Sequence, residues 1–480
     1  MPAILLTTFV LHFPAMYSDN KIRLYLKRFF ESIRNEKLKS NLLQAIPFWV
    51  ASIITGFIAV LYTKLFAGAE GVTIWMLHSH KYWLFVASPL LFLGAYFLVR
   101  RYAPYSGGSG IPQVMAAIEL ANPKDNHKAN KLLSIKVILV KVVSSLLVAM
   151  GGGAIGREGP TIQIAGSVFR KINQWIPDSW PKISRRNMIM TGAAAGLAAA
   201  FNTPLGGIVF AVEELTRTHI RYFRTAIFSA VIISGLTAQY FLGSYLYLGF
   251  PDVRNLSGTI FLWVALVAVA TGLLGSTMCK IILNILKWKK NFTNFQNYAF
   301  VAICAVVLVV LALTVSTETL GSGKELMNTV LFSDNKRLEW YVPFLRFLGP
   351  LFSFTTGVSG GIFAPALSAG AGFGALIAGW FNLSGTDTNL LILSGMVGFL
   401  TGVTRTPFTS AILVLEMTDR HNVIFHLMLA GMIASVVSLA IDKHSLYDHL
   451  KFQYLKRLED EEHAIEAKIN PETPVAETHN

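Results

Sequence analysis

Long apolar stretches separated by short polar ones dominate the chain. Leu42–Phe66, Trp83–Val99, Leu132–Ile155, Met188–Leu215, Thr259–Leu286, Tyr298–Thr314 and Val423–Ile441 are each close to or beyond the length a helix needs to cross a bilayer, roughly 20 residues. The pattern predicts a polytopic, all-α membrane protein. Glycine and proline puncture these runs at membrane depth. Lipid tolerates such breaks only where the interrupted helix is buried in protein or lines a watery cavity, so the punctuation points to transport.

Composition narrows the class further. Of the 480 residues 53% are hydrophobic and 14% charged, whereas a soluble protein carries about 25% charged residues. That balance excludes a disordered chain, a nucleic-acid-wrapping chain and a disulfide-stapled secreted chain. The 41 Lys and Arg outnumber the 27 Asp and Glu, for a net charge of +14, and the positive residues cluster outside the apolar segments, where they orient the protein. Lys21, Arg23, Lys27, Arg28, Arg34, Lys37 and Lys39 face only Glu31 and Glu36, which predicts a cytoplasmic N-terminus and a basic amphipathic helix. Residues 1–40 are expected to form a cytoplasmic extension, with Met16 an alternative start. Cys279 and Cys304 lie in apolar stretches without metal or disulfide spacing, as free, buried thiols.

The two halves of the chain match each other. Lys141…Gly156-Arg157-Glu158-Gly159-Pro160 aligns with Arg346…Gly361-Ile362-Phe363-Ala364-Pro365, the basic residue standing 19 before the proline in both. Gly192…Asn202-Thr203-Pro204…Glu213 aligns with Gly395…Arg405-Thr406-Pro407…Glu416, again in register. Duplicated halves with matching helix breaks belong to secondary transporters and related channels, whose binding site lies between the repeats near the midplane.

Three segments run from glycine to proline: Gly107-Gly108-Ser109-Gly110-Ile111-Pro112, Gly156 to Pro160, and Gly357 to Pro365. Proline favours the first turn of a helix, so each segment reads as a loop feeding a helix N-terminus. The unpaired N–H groups and partial positive charge there attract an anion without a full cation. Ser109 adds a hydroxyl donor; Ile362 and Phe363 add backbone N–H groups. Ordinary packing glycines and helix caps are the blander alternative for any single turn; three together favour an anion path. Glu158 is an ionisable group inside an apolar segment, expensive there and therefore functional by default. Deprotonated, its carboxylate competes with a transported anion for the helix N-terminus; protonated, it swings away, which links anion movement to proton movement.

The runs Gly108-Ser109-Gly110-Ile111-Pro112, Gly156-Arg157-Glu158-Gly159-Pro160 and Gly361-Ile362-Phe363-Ala364-Pro365 resemble the three signature motifs of the CLC family of chloride channels and chloride/proton antiporters. The resemblance covers roughly Leu42 to Leu450. It implies two inverted-topology repeats of tilted, broken helices, about 41–250 and 255–450, in a homodimer with one pore per subunit. By position, Ser109 resembles the central serine ligand, Ile362 and Phe363 the backbone amide ligands, and Tyr447 in His444-Ser445-Leu446-Tyr447 the inner-gate tyrosine. Glu158 resembles the outer gating glutamate. Glu214 resembles the internal proton-transfer glutamate of exchangers, with Glu213 its accessory neighbour on the proton pathway; a plain helix end at the interface is the other reading of that pair. Glu416, the repeat mate of Glu213, is expected to be structural or at the dimer interface.

The implied function is secondary active exchange of chloride for protons across the inner (plasma) membrane, with both termini cytoplasmic. A passive voltage- or pH-gated chloride channel of the same family is the alternative. Ser109, in place of the proline of nitrate-preferring plant relatives, favours chloride, and the intact signature runs argue against the fluoride-exporting branch. Gln113 stands where many members have Glu. No regulatory nucleotide-binding domains are expected after Leu450; residues 451–480 are expected to be a short, solvated cytoplasmic tail, as in a compact prokaryotic member. No cofactor is expected, no metal, no nucleic acid and no enzymatic activity. Gly321-Ser322-Gly323-Lys324 lacks the frame of a phosphate loop and reads as a plain loop, and His78 and His80 lack companions for a metal.

Overall fold

A computed structural model describes residues 35–215, 224–243, 247–334 and 336–469. The basic segment expected to form an amphipathic helix falls almost wholly outside them. The described chain is helical, with no β-strand among the described residues, and eight helical stretches are long and apolar enough to cross a bilayer.

The first half contains α1 (Glu36–His80), α2 (Leu84–Tyr102), α3 (Ile111–Glu119), α4 (Asn126–Leu132), α5 (Ile135–Met150), α6 (Glu158–Trp175), α7 (Arg185–Phe201), α8 (Pro204–Phe210) and α9 (Arg224–Leu242). A π-helical turn, Ala211–Leu215, extends α8. The second half contains α10 (Ile260–Lys289), α11 (Asn294–Thr314), α12 (Lys324–Phe332), α13 (Tyr341–Phe354), α14 (Phe363–Trp380), α15 (Gly385–Thr404), α16 (Pro407–Thr418) and α17 (Ile424–Ile441), followed by α18 (Leu446–Ile469).

Several apolar runs turn out to be more than one element, for local chemical reasons. Leu132–Ile155 is divided at Ser134, whose side chain caps α5 by accepting from Val137 N–H. Met188–Leu215 breaks after α7, where Asn202 takes a left-handed conformation (φ 57°) and Pro204 opens α8. In the other half Arg405 (φ 63°) and Pro407 repeat that break between α15 and α16. The run from Leu42 does not end at Phe66; α1 continues to His80 through Ala, Gly and Thr positions that raise no helix stop.

Contacts between the halves are reciprocal. Gly156 N–H donates to Gly361 O at 2.8 Å and Gly361 N–H to Gly156 O at 2.7 Å. Equivalent residues exchange bonds in this way only when a two-fold relation links them. Further from the axis, Glu213 accepts from the Phe408 and Thr409 N–H groups (3.2 and 2.7 Å), while Glu416 accepts from Leu205 and Gly206 (3.0 and 2.6 Å). The repeats are therefore inverted about an axis through the Gly156–Gly361 pair. The N-termini of α6 and α14 meet there, head to head.

The tail differs from expectation. Residue 450 is no boundary, because α18 runs through it, and Leu450, Lys451 and Leu458 are buried. Lys451 pairs with Glu119 at 2.7 Å, Lys131 with Glu461 at 2.7 Å and Lys128 with Glu462 at 2.5 Å. The acidic stretch, expected to be solvated, has basic partners waiting on α4.

Candidate anion site and proton path

Four segments converge on one buried point. Ser109 sits in the loop before α3, and Gly110 (φ 106°) turns the chain into that helix. Glu158 is the first residue of α6, Ile362 caps α14 with Phe363 behind it, and Tyr447 lies at the start of α18. All five are at most 1% exposed. Burying a hydroxyl without a partner costs free energy, yet Ser109 Oγ and Tyr447 Oη face each other without closing a well-formed hydrogen bond, and neither has another partner among the described residues. Two buried donors left open beside two helix N-termini suit a small anion.

Packing fixes this geometry. The Tyr447 ring stacks on Phe363, centroids 6.2 Å apart and planes 8° from parallel. Gly159 lies against the Ser109 loop so closely that a Cβ there would come within 2.7 Å of Ser109 O. That contact explains the glycine after Glu158. Gln113 Nε2 donates to Gly107 O at 2.6 Å and to Tyr454 Oη at 3.1 Å, tying the serine loop to α18. Lys141 Nζ donates to Gly108 O at 2.8 Å from a fully buried position. In the sequence Lys141 marked only the repeat register; a lysine inside an apolar run was the signal for this bracing role.

Glu158 is held by neutral donors and one nearby cation. The N–H groups of Ala364 and of Glu158 itself are directed at the carboxylate, and Arg157 Nε is 4.0 Å away. Glu158 Oε2 has no hydrogen-bond partner among the described residues. The carboxylate thus occupies the N-terminal ends of α6 and α14 as a bound anion would. It also lines a cavity of about 300 Å³ together with Lys64, Glu70, Arg157 and Lys324, a cavity that Tyr447 does not line.

Glu213 and Glu214 separate. The π-helical turn shifts the phase of the side chains, as such turns often do at functional sites. Glu214 lies within electrostatic reach of the Tyr447 hydroxyl. Glu213 instead spends its oxygens on α16, accepting from the Phe408 and Thr409 amides and from the Thr409 hydroxyl at 2.7 Å. The accessory proton role expected of Glu213 is at odds with these contacts, which give it the same bridging task as Glu416. Equal spacing from Pro204 and Pro407 was the sequence signal for that equivalence.

Cys279 and Cys304 are free and buried. Among the described residues no group of His, Cys, Asp or Glu is arranged for a metal ion.

An inverted helical repeat whose broken helices aim their N-termini at a buried point defines a membrane protein of the ion-translocating class. The Voltage gated chloride channel family matches residues 91–439, and the chain belongs to that family. It is 28% identical to an H(+)/Cl(-) exchange transporter ClcA of Salmonella arizonae, over 89% of this chain and 91% of that one. The H(+)/Cl(-) exchange transporter ClcA of Citrobacter koseri is 29% identical over 86% of this chain and 89% of its own. Among solved structures, a slow cyanobacterial Cl-/H+ antiporter superposes with a TM-score of 0.76 at 24% identity, covering 86% of this chain and 98% of that one. A CLC-type fluoride/proton antiporter gives a TM-score of 0.72 at 21% identity over the same shares.

Proposed function

We propose that this multi-pass membrane protein exchanges chloride for protons as a secondary active transporter. The carrying observation is the convergence of Ser109, Ile362, Phe363 and Tyr447 on one buried point with Glu158 seated at the helix N-termini beside it. Neutral donors suit an ion that must leave as readily as it arrives. Glu158 is then the gate: ionised, it fills the anion's place; protonated, it yields it. Glu214, on the Tyr447 side, hands protons to and from the opposite solution, so the two ions share Glu158 and part ways below it. The relatives named as H(+)/Cl(-) exchange transporters support this reading.

Finer features rest on the same reading. The positive-inside rule applied to the basic N-terminal segment supports a cytoplasmic N-terminus; with both termini on that side, the cavity beside Glu158 opens outward and Tyr447 guards the inner side. The protein works as a homodimer with one pore per subunit in the plasma membrane, and it performs no covalent chemistry. Reconstitution tests the function: in liposomes an imposed chloride gradient drives protons uphill. Chloride flux without proton movement would place the protein among channels instead.

A further inference from the structure

The loop Gly321-Ser322-Gly323 is the second repeat's version of Gly108-Ser109-Gly110. Both outer glycines are left-handed in each, φ 67° and 106° in the first, 69° and 86° in the second. Each loop feeds a nine-residue helix, α3 or α12. Each is braced by the equivalent buried base: Lys141 donates to Gly108 O, and Arg346 donates to Leu320 O and Gly321 O, both at 3.0 Å. The serine-to-base separation is shorter in the second half, which hides the correspondence from an alignment anchored on Pro160 and Pro365.

The two copies differ in what meets the serine. Ser109 faces the central site, whereas the Ser322 N–H donates to the Glu70 carboxylate at 2.9 Å. Glu70, Ser322 and Lys324 line both the 300 Å³ cavity at Glu158 and an adjoining cavity of about 530 Å³. The first of these carries Lys64, Arg157 and Lys324 against Glu70 and Glu158, a positive balance. The second carries Arg346, 3% exposed, whose Nε has no partner among the described residues, together with Glu318, which pairs with Arg346 at 3.5 Å, and Glu325; with the shared Lys324 and Glu70 its balance is negative, so an anion is favoured on the Glu158 side of the turn. A carboxylate bound to a backbone N–H at the mouth of a helix, between cationic side chains, marks a place fit for a monovalent anion.

We propose that the Ser322–Lys324 turn is a second anion site, taking chloride or bromide on the Glu158 side of the protein, and that Glu70 is its tethered competitor. The inference rests on the transport reading only for the identity of the ion. Ionised Glu70 holds the Ser322 N–H; a chloride arriving at Lys324 displaces it and stands one step from the gate. The repeat thus supplies two related cups, one sealed in the middle and one in the entrance, each with a glutamate able to fill the anion's place.

Bromide and the variant Glu70→Gln test this. Anomalous diffraction from bromide-soaked crystals is expected to show bromide at Ser109 in both proteins and an additional peak between Ser322 N and Lys324 Nζ that is stronger in Glu70→Gln. Half-saturating chloride for exchange is expected to fall about fivefold in Glu70→Gln and to rise about as much in Lys324→Met, the size of one water-screened unit charge at contact. Bromide at Ser109 but none at Ser322 in Glu70→Gln, at concentrations that fill Ser109, overturns this inference and leaves the transport reading standing. Bromide at neither position, with no chloride-driven proton movement, sinks both.

Discussion

At the scale of single residues, the proposed ion coupling comes down to two carboxylates in different surroundings. Glu158 sits on the N-termini that hold the anion, so removing its charge removes the competitor. Glu158→Gln is expected to leave chloride moving with no proton counterflow and with a flat dependence on pH; a pH profile like that of the parent would take Glu158 out of the gate. In the proposed mechanism Glu214 serves the proton branch alone. Glu214→Gln is expected to keep chloride flux while proton transport falls by about a hundredfold or more, the scale of losing a positioned proton-transfer group. Loss of both fluxes together would make Glu214 structural. Both carboxylates were legible as candidates because an ionisable side chain in an apolar run is costly and so conspicuous. For Glu213 the same cost shows only that a buried carboxylate has a task, while the Phe408 and Thr409 donors show that bridging to α16 is part of it.

At the scale of elements, the two caps form a closed loop. Glu213 follows α8 and caps α16; Glu416, near the end of α16, caps α8. Each carboxylate satisfies N–H groups at a helix start that would otherwise be left open. Glu213→Ala and Glu416→Ala are each expected to cost about 2 kcal/mol, the usual penalty for stranding buried donors. Because loss of either cap loosens both segments, the double variant is expected to lose less than the sum; strict additivity in thermal unfolding would refute the loop. Glu213→Gln is expected to keep proton coupling near that of the parent.

The docking of α18 is a second matter of elements. Partial burial pushes Glu461 up, but hydrogen bonds from Lys131 and Tyr105 and the charges of Lys131 and Arg457 outweigh it and hold the carboxyl below its ordinary range. The Lys128 hydrogen bond does the same for Glu462. A carboxylate whose value is depressed by docking stabilises the docked state above its undocked value, about 4.3, and that contribution fades as pH falls through the depressed one. A spin label at exposed position 463 is therefore expected to stay ordered at neutral pH and gain mobility only below about pH 4. High mobility at neutral pH would contradict the docking. Apolar length showed where the spanning helices lie, yet it said nothing of α18, whose polar surface hides the few positions, Leu450, Lys451 and Leu458, that bury it. The buried helices α14 and α15 escaped for a different reason: alanine and glycine in α14, and glycine and threonine in α15, dilute their large apolar residues, so their apolar runs stand out less than those of the other spans although both are long enough to cross.

At the scale of the whole molecule, neither repeat holds a complete site. Ser109, Glu158 and Glu214 come from the first half, Ile362 and Phe363 from the second, and Tyr447 from the helix that follows it. The seam is built of paired backbone bonds: besides Gly156 with Gly361, Gly108 N–H donates to Val358 O at 2.8 Å and Gly360 N–H to Gly108 O at 3.1 Å. Short bonds between glycine-rich loops leave no room for a lone half to close its own cup, because each loop's polar backbone would stand unpaired in an apolar setting. The connection between the halves, in contrast, runs through residues 251–259, which carry no regular helix, and the chain can be cut there without opening a helix. Co-expressed halves severed in that segment are expected to purify together and exchange chloride for protons, while either half alone binds no bromide. Anion binding by the first half alone would mean that Ser109 and α6 suffice, and that the second repeat shapes the path without holding the ion.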